Sequence, residues 1–324
     1  MNILEEKMAL ITGANVGIGN EVARQLALSG QYRTIILACR NVEKAETAKR
    51  ALEESTGKSI FQVLQLDLTK LDSVRTAIAT LSEPIHDLVM NAGGAGGKTP
   101  FALTDDGVTA IFASNVLGHV ALLEGLIKAN KLKMAAVFSG SEAARGVPKL
   151  GMKRPALVTS SADEFASLCD GTYFNHRKAD STLAYGQVKY VGAMWMAALA
   201  RRTPYLKLIT MSPGNTRGTQ VSRDFALPMR LLLTTVLMPL VLPRLGLVHN
   251  VSDGAKRLVN ALSDNALRSG VFYASEANTL TGPIVDQGGI FRDLSNQAYQ
   301  DNAYEAVHRF LELSRPRTSL QNEA

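Results

Sequence analysis

Apolar residues in this chain gather into short continuous runs separated by longer stretches of helical period. The runs at 8–12, 34–39, 61–66, 88–91, 135–138, 207–211 and 271–273 are short enough to predict strands. Between them, apolar positions return every three or four residues over 18–29, 43–54, 73–81, 105–129, 182–202 and 252–263, which predicts helices. Strands that are apolar on both faces need cover on both sides, and alternation with helices supplies it when the sheet is parallel. The expected fold class is therefore α/β: one Rossmann-type doubly wound domain over 1–324, with about seven strands and helices on both faces.

Two stretches interrupt the rhythm. Residues 142–184 are polar and mixed, and longer than loops in compact domains usually run, so an inserted loop is expected there. Residues 219–250 read as a second insertion whose core, 225–250, is strongly apolar. A membrane-spanning helix needs roughly 20 uninterrupted apolar residues. Here Pro228, Arg230, Pro239, Pro243 and Arg244 break the run. The expectation is a pair of short helices forming a substrate lid or a subunit contact, with shallow peripheral membrane contact as the alternative. A C-terminal helix and tail are expected over 292–324.

Composition narrows the partners. The 324 residues are 46% hydrophobic and 20% charged, a globular balance. The net charge of +6 is scattered, with no basic run of five or more, which argues against nucleic acid. Cys39 and Cys169 are too few and too far apart for a disulfide framework or a metal site, and they fit a reducing compartment. With acidic Glu5 and Glu6 ahead of the first apolar run, a cytoplasmic location is expected.

Candidate chemistry begins at ALITGANVGIG, residues 9–19. Gly13 permits a tight turn after the first strand, Gly17 leaves backbone bare for a pyrophosphate, and Gly19 lets the next helix lie close to the sheet. The helix N-terminus offers amide hydrogens and partial positive charge to phosphates. Asn91-Ala92-Gly93 follows the fourth strand, and Tyr185 and Lys189 stand one turn apart on a predicted helix. This ordered set resembles the short-chain dehydrogenase/reductase family over about 7–273. ACRNVEKAE, PFALTDDG and FASNVLGHV are similar to its retinol-dehydrogenase and protochlorophyllide-reductase neighbourhood.

The residues speak to cofactor choice. An acidic residue closing the second strand would accept from a ribose 2'-hydroxyl and repel a 2'-phosphate. Cys39 stands there instead, followed by Arg40, whose guanidinium can pair with phosphate, so NADP(H) is expected; Arg40 as a solvated surface residue is the plainer alternative. Asn15, Ile18 and Asn41 are further candidate contacts. By resemblance, Asp67-Leu68 would meet the adenine, although Asp67 could instead cap the next turn. Pro213-Gly214 would bend the chain beneath the nicotinamide, while Thr216 and Thr219 both stand off the simplest spacing for a carboxamide or phosphate contact. No metal is expected.

Hydride transfer to a carbonyl leaves charge on oxygen that needs a proton. A phenol of ordinary pKa about 10 is a poor shuttle at neutral pH, and a lysine one helical turn away should favour its phenolate. That is the reading of Tyr185 and Lys189. The resemblance implies that Lys189 also holds the nicotinamide ribose, that Asn115 fixes a water on the proton path, and that a serine binds the substrate carbonyl. Ser141 is the expected serine, leaving Ser139 as a strand-end residue. His119 reads as a packing or cofactor-side hydrogen bond, and Met194, Trp195 and Met196 as core or dimer contacts in a monomer or homodimer. Light-dependent pigment reductases carry a cysteine after this Pro-Gly; Asn215 here argues against that chemistry. The expectation is an NADP(H)-dependent carbonyl reductase or alcohol dehydrogenase acting on a hydrophobic ketone or aldehyde. The alternative is a silent NADPH-binding sensor or scaffold.

Overall fold

The structure is a computed structural model that describes residues 7–148, 151–175, 180–216 and 247–313. Its strands are β1 (Lys7–Thr12), β2 (Tyr32–Cys39), β3 (Phe61–Gln65), β4 (Ile85–Met90), β5 (Leu132–Ser139), β6 (Lys207–Met211), β7 (Phe272–Ser275) and β8 (Ile284–Asp286). They form one sheet in the order β3-β2-β1-β4-β5-β6-β7-β8, parallel throughout except that β8 runs antiparallel to β7. The order reverses between β1 and β4. Doubly wound sheets place ligands in the crevice outside the carboxyl ends of the strands at such a point.

The helices are α1 (Gly17–Leu28), α2 (Val42–Thr56), α3 (Leu71–Thr80), α4 (Ala110–Lys128), α5 (Ala162–Asp170), α6 (Ser181–Arg202), α7 (Val251–Ser263) and α8 (Gln297–Leu313). Alternate residues of each central strand serve opposite layers. Ala9, Ile11, Val89 and Val137 pack with Val22, Leu26, Leu52 and Leu258 from α1, α2 and α7. Leu10, Leu88, Met90 and Phe138 pack with residues of α3, α4, α6 and α8. Both faces are thus removed from water, which is why the strands read as unbroken apolar runs rather than alternating ones.

The stretch expected as an inserted loop at 142–184 carries short elements of its own among the described residues. It opens with a tight turn at Glu142–Ala144 and contains α5, which ends at Gly171 with φ +83°. Ser161 caps α5 by accepting from the Glu164 amide at 3.2 Å, and the Glu164 carboxylate accepts in return from the Ser160 amide at 2.8 Å. The lid expected over 219–250 lies outside the described residues except for its last four, which lead into α7.

Met194, Trp195 and Met196 are fully buried within this one chain, in a core that α8 helps to close. α8 packs on α6 through Asp301, which pairs with Arg201 at 2.6 Å and Arg202 at 2.9 Å. It also reaches α4: His308 Nε2 lies 2.7 Å from Glu124 Oε2, and the other carboxylate oxygen accepts from the Trp195 indole at 2.8 Å. Burial works against the charged His308 ring, but the Glu124 hydrogen bond and charge outweigh it and raise the pKa. A raised histidine adds stability that is full below its unfolded pKa of about 6.5 and is lost as pH rises through the folded value. The melting-temperature gap between the wild-type chain and His308→Gln should therefore narrow from pH 6 to pH 9; a constant gap would show that the pair holds no charge.

Candidate functional site

The first wall of the crevice is the turn from β1 into α1. Gly13 and Gly17 adopt φ of +67° and +59°, conformations that suit glycine, and a Cβ at Gly19 would lie 2.5 Å from Asn91 Nδ2 and 2.6 Å from the Gly13 carbonyl oxygen. α1 begins at Val16 without a side-chain cap and without an acidic residue in its first turn, so the amides around Gly17, Ile18 and Gly19 suit an anionic guest. Asn15 is half-buried beside them.

At the end of β2, Cys39 is buried and its thiol is pushed up by burial, with the Ala14 and Asn15 amides pulling the other way. Among the described residues no carboxylate stands at that strand end to repel a phosphate. Arg40 is exposed and enters no hydrogen bond or ion pair among the described residues. Asn41 caps α2, accepting from the Lys44 amide at 2.8 Å. Asp67 takes the capping role: its Oδ1 accepts from the Thr69 amide at 3.0 Å and the Thr69 hydroxyl at 2.7 Å. Leu68 is buried beneath Gly118 of α4, where a Cβ would strike it.

The second wall is Asn91-Ala92-Gly93 after β4. Thr12 Oγ1 accepts from the Asn91 amide at 2.9 Å and the Ala92 amide at 3.0 Å, and Asn91 Nδ2 returns a bond to the Thr12 carbonyl at 3.2 Å. The carboxyl ends of β1 and β4 are thereby locked together. His119 completes the lock, with Nε2 at 2.9 Å from Thr12 Oγ1 and Nδ1 at 3.1 Å from the Asn115 carbonyl. A carbonyl can only accept, so the partners assign the proton to Nδ1 and leave Nε2 to accept from the threonine hydroxyl. Burial depresses the ring pKa to about 3, so His119 is neutral and serves as a brace.

Asn115 sits in a π-helical turn, Ala113–Leu117, inside α4. Its Nδ2 donates to the Gly94 and Ile111 carbonyls, both at 2.8 Å, and its Oδ1 accepts from the Gly94 amide at 3.1 Å. A Cβ at Gly93 would collide with Asn115 and come within 3.5 Å of Lys189 Nζ. The structure therefore gathers Asn91, Ala92, Gly93, Asn115 and Lys189 at one place.

Tyr185 and Lys189 share one face of α6 beside the end of β5, with Lys189 Nζ 5.7 Å from the Tyr185 ring centroid. Lys189 is buried and donates to the Ser139 carbonyl at 2.9 Å. Ser139 thus supplies its backbone to the lysine. Ser141 lies nearer the phenol, and its Oγ accepts from the Ala143 amide at 3.2 Å. The expectation that the lysine would make the phenol more acidic does not describe this chain. Burial raises the Tyr185 pKa to about 12, the Ser141 hydroxyl opposes this, and the Glu142 charge adds to it. Burial likewise depresses Lys189 to about 7, so near neutrality the lysine carries only part of a charge and cannot dominate its neighbour.

The far side of the crevice is Pro213-Gly214, just past β6. Gly214 has φ +75°, its amide donates to Ser212 Oγ at 3.1 Å, and His249 Nε2 donates to the Pro213 carbonyl at 2.7 Å. Thr216 is buried in a bridge to His249, and Thr219 lies outside the described residues. Glu142, Arg145, Ser212 and Arg257, which sequence reasoning did not single out, form a buried polar cluster behind this turn. A charged side chain directly after the candidate serine was the available signal.

The residues fit a dinucleotide: a glycine crest over an uncapped helix N-terminus, an exposed guanidinium at the next strand end, and an amine at the other end of the crevice. The sequence pattern that defines short chain dehydrogenases matches residues 7–148. The chain is 31% identical to the WW domain-containing oxidoreductase of Danio rerio over 237 residues, 68% of this chain and 52% of that protein. It is 40% identical to retinol dehydrogenase 11 of Mus musculus over 136 residues, 41% of each. The chain spans about half the length of these curated relatives. Among solved structures, L-sorbose reductase from Gluconobacter frateurii, in complex with NADPH and L-sorbose, superposes with a TM-score of 0.61 at 17% identity, covering 86% of this chain and 98% of that one. The fold, the ordered motifs and these likenesses agree, and the chain belongs to the short-chain dehydrogenase/reductase family of oxidoreductases.

Proposed function

We propose that this protein is an NADP(H)-dependent oxidoreductase that reduces a hydrophobic ketone or aldehyde to the alcohol. The observation that carries the reading is the convergence of Tyr185, Lys189, Asn115 and Ser141 at the carboxyl ends of β4 and β5, beside the glycine crest. When bound, NADPH supplies the hydride. Gly13, Gly17, Ile18 and Gly19 receive its diphosphate, Arg40 its 2'-phosphate, Asp67 and Leu68 border the adenine side, and Pro213-Gly214 and Lys189 flank the nicotinamide end. Ser141 donates a hydrogen bond to the substrate carbonyl, and Tyr185 delivers the proton.

The proton inventory supports reduction as the direction. A phenol with a pKa of about 12 is protonated at neutral pH, which supports its role as an acid and favours reduction over oxidation. The hydrophobic class of substrate rests on the apolar 225–250 segment, whose composition suits a cover over an apolar guest. The α4 and α6 face, which could serve for pairing with a second copy, is covered by α5 and α8 of the same chain, which supports a monomer. A silent sensor or scaffold would be free to lose the Tyr185 and Lys189 pair, and both residues are in place.

The test is NADPH oxidation against aromatic, steroid, retinoid and aliphatic carbonyls. Turnover of at least one apolar carbonyl is expected; NADPH binding without turnover across the panel would favour the sensor reading. Arg40→Ala should weaken NADPH by about tenfold, the scale of one charge-assisted pair, and leave NADH within about twofold. Equal losses for both nucleotides would move the phosphate contact elsewhere.

A further inference from the structure

The Glu142 carboxylate is buried between the ends of three strands and bonds to each neighbour. Its Oε2 accepts from the Ser212 hydroxyl at 2.6 Å, past the end of β6. Its Oε1 accepts from the Ser275 hydroxyl at 3.1 Å and the Ser275 amide at 3.3 Å, at the end of β7. Glu142 itself follows Ser141 after β5. Ser212 Oγ passes the connection onward by accepting from the Gly214 amide at 3.1 Å. A continuous path therefore runs from the candidate serine, through one carboxylate and one hydroxyl, to the turn beneath the nicotinamide end.

One guanidinium lies against that carboxylate, and a second ties down the chain at the end of β7 beside it. Arg257 of α7 lies 3.8 Å from Glu142 Oε1 and donates to Ser275 Oγ at 3.1 Å, the Ser212 carbonyl at 3.4 Å and the Gly282 carbonyl at 2.7 Å. Arg145 donates to the carbonyls of Ser275, Glu276 and Thr279 at 3.0, 2.9 and 2.8 Å. A buried, fully hydrogen-bonded carboxylate beside a cation is a rigid joint, because removing one partner leaves the others unsatisfied in a medium that cannot solvate them. Gly214 has no slack either: a Cβ there would lie 2.9 Å from both Arg257 Nη1 and His249 Nε2.

We propose that Glu142 is a positioning residue that, through Ser212, holds the Pro213-Gly214 turn in register with Ser141 and Tyr185. The inference rests on the reading of this crevice as an NADPH site. Glu142 also faces Tyr185, Arg145, Arg257 and His249, so its charge helps keep the phenol protonated.

The two effects separate in two variants. Glu142→Gln weakens the turn and removes the charge; Ser212→Ala cuts the link to Gly214 and leaves the charge. Calorimetric NADPH binding to the full chain should weaken about tenfold in both, the scale of one lost hydrogen bond to a charged group. The alkaline limb of kcat/KM for reduction should move to lower pH in Glu142→Gln alone. Should Glu142→Gln fail to fold, Ser212→Ala carries the binding test. NADPH affinities within twofold of wild type in the folded variants would overturn the proposal, and an equal alkaline shift in both would overturn its electrostatic part. A wild-type chain that binds no NADPH would sink the site reading itself, a distinguishable failure.

Discussion

Tyr185→Phe is expected to keep its fold and cofactor affinity while losing at least about 100-fold in kcat/KM for carbonyl reduction, the lower end of what a positioned acid contributes. The substitution retains the ring that packs beside Lys189 and removes only the hydroxyl. pH adds a sign. With the phenol at about 12, reduction by the wild-type chain at saturating NADPH should be flat from pH 6 to pH 9, because the acid stays protonated throughout. Oxidation of the product alcohol needs the phenolate and should climb toward about tenfold per pH unit over the same range. Turnover that survives in Tyr185→Phe, or an oxidation rate independent of pH, would remove the phenol from the chemistry.

The second large effect belongs to Lys189. Its amine is buried, held by the Ser139 carbonyl, and depressed to about 7. An ammonium suits the ribose hydroxyls and phosphates of a nucleotide better than an amine does, so binding should take up a proton above pH 7. By linkage, the NADPH dissociation constant should be near its minimum below pH 7 and rise by up to about tenfold per unit above it. Lys189→Met should weaken binding at pH 6 by about tenfold or more and abolish that slope. The paired comparison matters because the 2'-phosphate titrates too, and only the slope lost in Lys189→Met belongs to the lysine. Equal slopes in the two proteins would show that the amine does not meet the nucleotide.

Much of the fold was legible because the signals were local and redundant. Each central strand is apolar on both faces, so its run of residues announced it without tertiary help. β8 escaped because three residues, Ile284–Asp286, carry too little pattern to distinguish from a turn. α5 escaped for another reason: its Ser161 and Glu164 capping pair lay within a polar stretch whose length suggested a loop. Two of the glycines were readable for the same cause as the strands, since Gly13 and Gly17 are demanded by backbone geometry at their own positions.

The candidate site was legible as a set of residues and only partly as chemistry. Asp67 illustrates the limit, because both adenine contact and turn cap were open from the sequence and its hydrogen bonds to Thr69 supply the cap. The acidity of Tyr185 is a stronger case. Spacing placed the lysine one turn away, but the sign of the shift depends on how much water reaches either group.

The amino-acid order alone determined the alternation of strands and helices, the glycine crest, the missing carboxylate after β2, and the pairing of a phenol with an amine on one helical face. Each of these depends on neighbours within about one turn or one strand. Tertiary structure alone decided that burial depresses Lys189, that His119 is a brace, that α8 covers α4 and α6, and that Glu142 joins three strand ends. Those properties arise from burial and from partners up to 184 positions apart, as in Glu124 and His308. Desolvation and long-range hydrogen bonding have no local signature, so they become visible only when the chain is folded.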